Sequence, residues 1–308
     1  MNRDLHDLPK LRDGLSYLYV EHCIVEQEGL SVSLIDKEGR APVNAAALAV
    51  LMLGPGTSVS HAAVRALADN GCSVIWCGEE GVRCYAQGTG ETRRAGRLLR
   101  QAEAVVRLEM HREVVWRMYE MRFGYRLERE LTLPQIRGME GARVRRAYER
   151  LAREHGVRWT GRTYDRSDWA KADPLNRALS AANACLNGLC HAAVVSVGYS
   201  PALGFIHVGK QLSFVYDVAD LYKVELTVPL AFRLAAEGTE KLETRVRRAC
   251  RDAFRERQLL ARIVTDIDSV VGFRTPEEGE QLDSDPALPA QLWQELLDEE
   301  TAGDSDGA

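Results

Sequence analysis

The spacing of apolar residues changes period near Gly88-Thr89-Gly90, and that change constrains what the chain can fold into. Before it, short runs rich in aromatic and β-branched residues lie between turn signals, the pattern of half-buried strands. LSYLYVEHCIV precedes the turn pair Glu28-Gly29, and LSVSLI alternates after it. ALAVLML is a continuous apolar run closed by Gly54-Pro55-Gly56, and CSVIWC and VRCYA flank a Glu-Glu-Gly turn as a hairpin would. One helix interrupts the strands: Thr57, Ser58 or Ser60 can cap it, HAAVRALAD forms its body and Asn70-Gly71 stops it. From about Arg94 the repeat becomes helical. Leu98, Leu99, Ala102, Val105, Val106 and Met110 recur at three- and four-residue intervals, as far as Phe123 and the terminating Gly124. Further helices are predicted over 134–155, 176–197, 215–226, 229–237 and 240–271, with a loop over 159–174 punctuated by Gly, Asp and Pro. The expected fold is α+β: an N-terminal β-rich domain (1–90), a mainly α-helical catalytic domain (91–273) and a disordered acidic C-terminal tail (274–308).

Charge separates the tail from the rest. Residues 274–308 carry eleven Asp and Glu against one Arg, a net of −10, whereas the whole chain carries −5; the remaining 273 residues are therefore at +5. From Arg93 to Arg158 there are seventeen Arg and nine Glu with no Lys or Asp. A basic body suggests a polyanionic partner, although solvated helix faces with i to i+4 Glu–Arg pairs give the same composition. Within the tail, LPAQLWQELLDEE places Leu292, Trp293, Leu296 and Leu297 at spacings that could form a short amphipathic helix on a partner, with plain disorder as the alternative. No apolar run approaches the ~20 residues of a membrane span. The polar start MNRDLHDLPKLRDG reads as neither secretory signal nor transit peptide, and seven scattered cysteines suit a reducing compartment.

There is no P-loop, dinucleotide-binding glycine pattern, nucleophile elbow or paired-cysteine zinc motif. Cys72 and Cys77, five apart in an apparent strand, point to opposite faces, while Cys185, Cys190 and His191 on an apolar helix read as packing residues. The chemistry concentrates in GFIHVGKQLSFVYDVADLYK, residues 204–223. His207 lies beside a Gly-Lys turn, and Asp217 and Asp220 stand at i and i+3 on one face of a predicted helix. Two carboxylates on an apolar helix require a cation, an arginine or exposure, or else they serve as helix-start caps. Glu140, between Gly138 and Gly141, is a further candidate acid; its plain alternative is a first-turn glutamate favoured by the helix dipole. Together Glu140, His207, Asp217 and Asp220 make an oxygen-and-imidazole set suited to Mg2+ or Mn2+ rather than to structural zinc.

The segments LGPGTSVSHAAVR, WCGEEGVRCYAQG, QIRGMEGARVR, GRTYDRSDW, LGFIHVGKQLSFVYDVADLYK and RRACRDAF resemble the CRISPR-associated integrase, in the Cascade-linked subtype I-E, over about residues 8–273. The resemblance implies a metal-dependent DNA strand transferase and endonuclease. Such an enzyme inserts captured DNA fragments as spacers into a CRISPR array by 3′-hydroxyl attack on a phosphodiester. It implies Glu140, His207 and Asp220 as metal ligands and Asp217 as a further active-site acid. It maps Arg65, Arg83, Lys210, Arg245, Arg248 and Arg251 to DNA-backbone contacts, and Tyr164 and Tyr216 to a pocket for the fragment's single-stranded end, where aromatic stacking is useful. It also implies binding of double-stranded and branched DNA, a homodimer, and a small ferredoxin-like CRISPR-associated partner subunit in a complex of two integrase dimers and one partner dimer. The expected location is the cytoplasm of a prokaryote. The chain departs from the pattern at His22, where relatives carry a wedge tyrosine, at Ser58 in place of an arginine, and at Asn187 in place of an aromatic. Two other functions use the same features: a branched-DNA endonuclease in repair, and a non-catalytic DNA-binding scaffold.

Overall fold

The computed structural model describes residues 16–79, 84–88, 95–161 and 173–273, which all belong to one compact unit. The predicted tail therefore lies outside the described residues, as do Arg83 and Tyr164. The α+β class and the order of strands before helices are as predicted.

Strands β1 (Ser16–Val20), β2 (Ile24–Glu28), β3 (Ser31–Ile35), β4 (Arg40–Val43), β5 (Leu48–Leu53) and β6 (Ser58–Val59) precede helix α1 (His61–Asp69), after which come β7 (Ser73–Cys77) and β8 (Cys84–Gly88). They form two four-stranded sheets, ordered β1-β5-β7-β8 and β4-β3-β2-β6. In the first, β1, β5 and β7 run parallel, and β8 closes the edge as the antiparallel arm of the predicted hairpin. LSYLYVEHCIV does not form one strand. It breaks at His22, which takes a left-handed φ of 52° and donates its N–H to Pro55 O at 2.9 Å, so β1 and β2 serve different sheets. Of the three possible caps of α1, Ser60 is the one used: its Oγ accepts the Ala63 N–H at 3.2 Å.

The helical part comprises α2 (Gly96–Val106), α3 (Leu108–Phe123), α4 (Leu133–His155), α5 (Pro174–Ser196), α6 (Ser213–Asp220), α7 (Val228–Ala236), α8 (Leu242–Glu256) and α9 (Leu259–Val271). Chain punctuation sets the ends of α4: Thr132 and Gln135 form a capping box, and Gly156 leaves in the left-handed region at φ 64°. Three predicted boundaries are corrected. The helix expected from Arg94 to Phe123 is interrupted at Arg107, whose backbone is extended. The one expected over 240–271 breaks at Gln258, with a left-handed φ of 47°. The one over 215–226 gives way to a π-helical turn at Lys223–Thr227.

Helix α5 is the core element. It packs against α6, α7, α8 and α9, and its last turns carry Ala192 and Val195 against Val50, Met52, Ile75 and Cys77 of the first sheet. By length and composition α5 could cross a membrane, contrary to the reading that no run was apolar enough, but 78% of its apolar window is buried inside the protein. Burying an aliphatic side chain such as Leu179 or Leu186 stabilises by roughly 1.5–3 kcal/mol. Cys185, Cys190 and His191 are buried in α5, as their packing assignment requires. Cys72 packs with α1 beneath the first sheet and Cys77 with α5 above it, on opposite faces.

Candidate functional site

Asp217 sits inside α6 and is fully buried. Its Oδ2 accepts the backbone N–H groups of Phe205 at 2.6 Å and Ile206 at 3.0 Å, and its Oδ1 accepts that of His207 at 2.9 Å. The same Oδ1 meets His207 Nδ1 at 2.7 Å. An ionised carboxylate can only accept, so Nδ1 carries the hydrogen and a neutral His207 has its lone pair on Nε2. Asp217 is thus the anchor on which the 205–207 loop hangs, and it is closed to substrate. The loop approaches α6 this closely because residue 204 is glycine: a Cβ there would stand 2.2 Å from His207 O and 2.8 Å from Ser213 Cβ. The imidazole itself is 45% exposed and lies edge-on to Tyr216, with ring centroids 6.1 Å apart.

Asp220 is the last residue of α6, where a carboxylate opposes the helix dipole, so the helix-start cap alternative fails for it and for the mid-helix Asp217. The unfavourable end is offset by two cations. Lys223 Nζ lies 2.5 Å from Oδ1, and Arg122 Nη1 lies 3.6 Å from Oδ2. Arg122 comes from the last turn of α3, and its side chain is only 4% exposed. Its Nη2 donates to Asp217 O at 3.3 Å, and its Cζ lies 5.3 Å from the centre of the Tyr119 ring.

Glu140 lies beyond the first turn of α4, so the first-turn reading also fails. Arg143 grips it through two parallel bonds, Nε to Oε2 at 2.9 Å and Nη2 to Oε1 at 3.1 Å. A Cβ at Gly138 or Gly141 would meet nothing within 4 Å, so the space expected beside Glu140 is there. Arg143 in turn stacks over Phe123 at 5.7 Å, the residue after Arg122. Glu140 and Asp220 therefore both connect, each through one arginine, to the last turn of α3.

Carboxylate and imidazole are suitable donors for a hard divalent cation. The predicted convergence is nevertheless incomplete: among the described residues, no group of three His, Cys, Asp or Glu stands close enough to hold a metal ion. The physical reason lies in the ion pairs just described. Glu140 is turned to Arg143, Asp220 to Lys223 and Arg122, and Asp217 is used up beneath the loop. The donor chemistry fits a metal, and the carboxylates reach one only by exchanging partners. Sequence reading missed Arg122, Arg143 and Lys223; Lys223 was visible at i+3 in DLYK, whereas nothing distinguished Arg122 from its neighbouring arginines.

The predicted DNA contacts differ in availability. Arg248 and Arg251 lie exposed on α8, and Arg65 is exposed on α1 with only a loose pair to Asp69 at 3.7 Å. Arg245 is held by Glu237 Oε2 at 2.6 Å and by Gly238 O at 3.0 Å. Lys210 is exposed in the turn that follows His207, where its N–H donates to Ser213 Oγ at 3.0 Å. His22 is exposed in the β part, with its ring beside Gly56. Ser58 is exposed in β6 and Asn187 is half-buried in α5.

Comparison with known proteins shows the family of the chain. The family described as CRISPR associated protein Cas1 matches residues 118–251, which include Glu140, His207, Asp217 and Asp220. The CRISPR-associated endonuclease Cas1 2 of Thermus thermophilus is 56% identical over 292 residues, covering 94% of this chain and 90% of the relative. The CRISPR-associated endonuclease Cas1 of Geobacter sulfurreducens is 47% identical over 262 residues, covering 85% of this chain and 86% of the relative. Among solved structures, TtCas1 in a DNA complex superposes with a TM-score of 0.76 at 57% identity, covering 86% of this chain and 99% of that one.

Proposed function

Because the chain belongs to the CRISPR-associated protein Cas1 family, we propose that it is a metal-dependent DNA strand transferase of the Cascade-linked subtype I-E that inserts captured fragments as spacers into a CRISPR array. The observation that carries this reading is the fixed imidazole: Asp217 holds Nδ1 of His207 from below and turns Nε2 outward, on the loop packed against the helix that bears Asp220. A carboxylate beneath a histidine is the usual way to fix a ligand's tautomer and orientation. Glu140, His207 and Asp220 would hold Mg2+ or Mn2+. Such an ion polarises a phosphate and stabilises charge on the attacking and leaving oxygens.

The rest of the work falls to the chain's own residues. Arg248, Arg251 and Lys210 bind DNA phosphates, with guanidinium forks that match phosphate oxygens. Arg143 and Lys223 are the partners that Glu140 and Asp220 would give up to hold such an ion. In strand transfer the fragment's 3′-oxygen forms the new P–O bond and gives its proton to solvent, while the bond to the repeat strand's 3′-oxygen breaks and that oxygen takes up a proton from solvent. Tyr216, edge-on to His207, stacks beside the unpaired end. With water in place of the 3′-hydroxyl the same site nicks DNA, as the relatives' endonuclease names suggest. The motif resemblance further supports a homodimer, joined through a small ferredoxin-like CRISPR-associated subunit, in a prokaryotic cytoplasm.

The test is a strand-transfer assay with a fragment bearing 3′-hydroxyls, a CRISPR repeat target and the partner subunit, in Mg2+ or Mn2+. Wild-type protein joins fragment to repeat, and Asp220→Ala does not, although both bind duplex alike because affinity comes from phosphate contacts. Joining by Asp220→Ala at the wild-type rate would overturn the assignment. Nicking without joining would leave the repair-endonuclease reading instead.

A further inference from the structure

The two oxygens of Asp220 face different kinds of cation. Oδ2 faces Arg122, a guanidinium 4% exposed, packed on Tyr119 and bonded to Asp217 O. Oδ1 faces Lys223, an ammonium 27% exposed on a flexible stem at the start of the π-helical turn. Arg122 is therefore held on three sides, by the Tyr119 ring, the Asp217 carbonyl and the Asp220 carboxylate. Its side chain is 4% exposed, so moving it would disturb the packing around it. Lys223 can swing into solvent by rotating its own stem.

We propose that Arg122 is a positioning residue that holds Asp220 by Oδ2, and that Lys223 is an exchangeable cation at Oδ1 which the metal displaces. This rests on the metal reading of Glu140, His207 and Asp220. The division explains how a carboxylate at an unfavourable helix end is compensated and oriented before any metal arrives. Arg122 bonds the carbonyl of Asp217 as well, so one side chain from α3 touches α6 at both acids. Lys223 makes the shorter contact, 2.5 Å against 3.6 Å, but it is the partner that borders solvent.

The experiment is Mn2+ titration of the full chain followed by electron paramagnetic resonance of the free ion, with thermal melts confirming that each variant is folded. Lys223→Met removes the competitor and is expected to tighten Mn2+ binding roughly threefold to tenfold, the equivalent of a partly exposed ion pair. Arg122→Lys keeps the charge and loses the fork; it is expected to weaken binding by about tenfold, as is Arg122→Met. If Arg122 acted only as a nearby positive charge, Arg122→Lys would bind like wild type and Arg122→Met more tightly, and that result would overturn its positioning role. Unchanged affinity in Lys223→Met would overturn the exchange. Should the Arg122 variants fail to fold, the Lys223 result and the broadening of bound Mn2+ in that variant still decide the exchange. Wild-type protein that holds no Mn2+, or His207→Ala that holds it equally well, would instead sink the metal reading itself.

Discussion

The floor of the site and its rim are built on opposite terms. On the floor, Asp217 receives three backbone N–H groups and the His207 ring at 2.6–3.0 Å with no exposure to water. On the rim, Glu140 is satisfied by Arg143, and Asp220 by Lys223 on one oxygen with the buried Arg122 facing the other. Buried bonds to backbone cannot be traded without unfolding the loop, whereas side-chain ion pairs near water are worth little and exchange readily. The floor therefore fixes geometry at folding, and the rim keeps its carboxylates available.

The sharpest way to break this contrast is Asp217→Ala. One buried and two part-buried N–H groups lose their acceptor, and at about 1–3 kcal/mol for the buried one and less for the others the variant is expected to be destabilised by roughly 3 kcal/mol. A urea unfolding curve within 1 kcal/mol of wild type would show that the floor is as exchangeable as the rim.

A second histidine sharpens the comparison. His191 in α5 has no carboxylate beneath it; its Nε2 meets Gln87 Oε1 at 3.0 Å, and burial pushes its pKa from 6.5 down to about 4. The folded protein thus binds fewer protons at this position than the unfolded chain does between those two values. Stability from His191 is complete above pH 6.5 and falls as pH drops towards 4, by up to about 3 kcal/mol. His191→Gln is expected to flatten this acid limb of the stability–pH curve, and a variant with an unchanged limb would contradict the assignment.

Smaller effects belong to the rim. Glu140→Gln removes the charge and one of the two acceptors facing a part-exposed Arg143 and is expected to cost under about 1 kcal/mol, with midpoint denaturant concentration as the readout. Arg248→Ala on the exposed face of α8 is expected to leave stability untouched and to lower the slope of log affinity against log salt by about one unit in duplex-binding isotherms. An unchanged slope would remove Arg248 from the DNA track.

Much of this was legible in the sequence, because local chemistry decided it. Pro134 and Gly156 bound α4, Ser60 caps α1, and the Cys77–Cys84 hairpin follows from its turn. The positions left unread were those decided at a distance. The sequence contains no sign that β1 pairs in parallel with β5 while β2 joins another sheet, since the break at His22 rests on a bond to Pro55. Gln258 takes a left-handed φ although glutamine has no preference for it, and the helical period continues on both sides of it. Spacing placed Asp217 and Asp220 on one face, but three residues of helix rotation cannot tell which carboxylate turns under the loop and which to the rim. Arg122 was invisible because its meaning comes entirely from α6 lying against the end of α3.

Modularity is where the last turns of α5 matter. Ala192 and Val195 share an apolar patch with Val50, Met52, Ile75 and Cys77 of the first sheet. A helical fragment expressed without the strands would carry that patch as an exposed scar at the end of its most apolar helix, and the strands alone would carry its mirror image. The β part is therefore poor material for grafting onto another catalytic body: a transplant would need the end of α5 to travel with it, and α5 also carries the core of the half that was to be left behind.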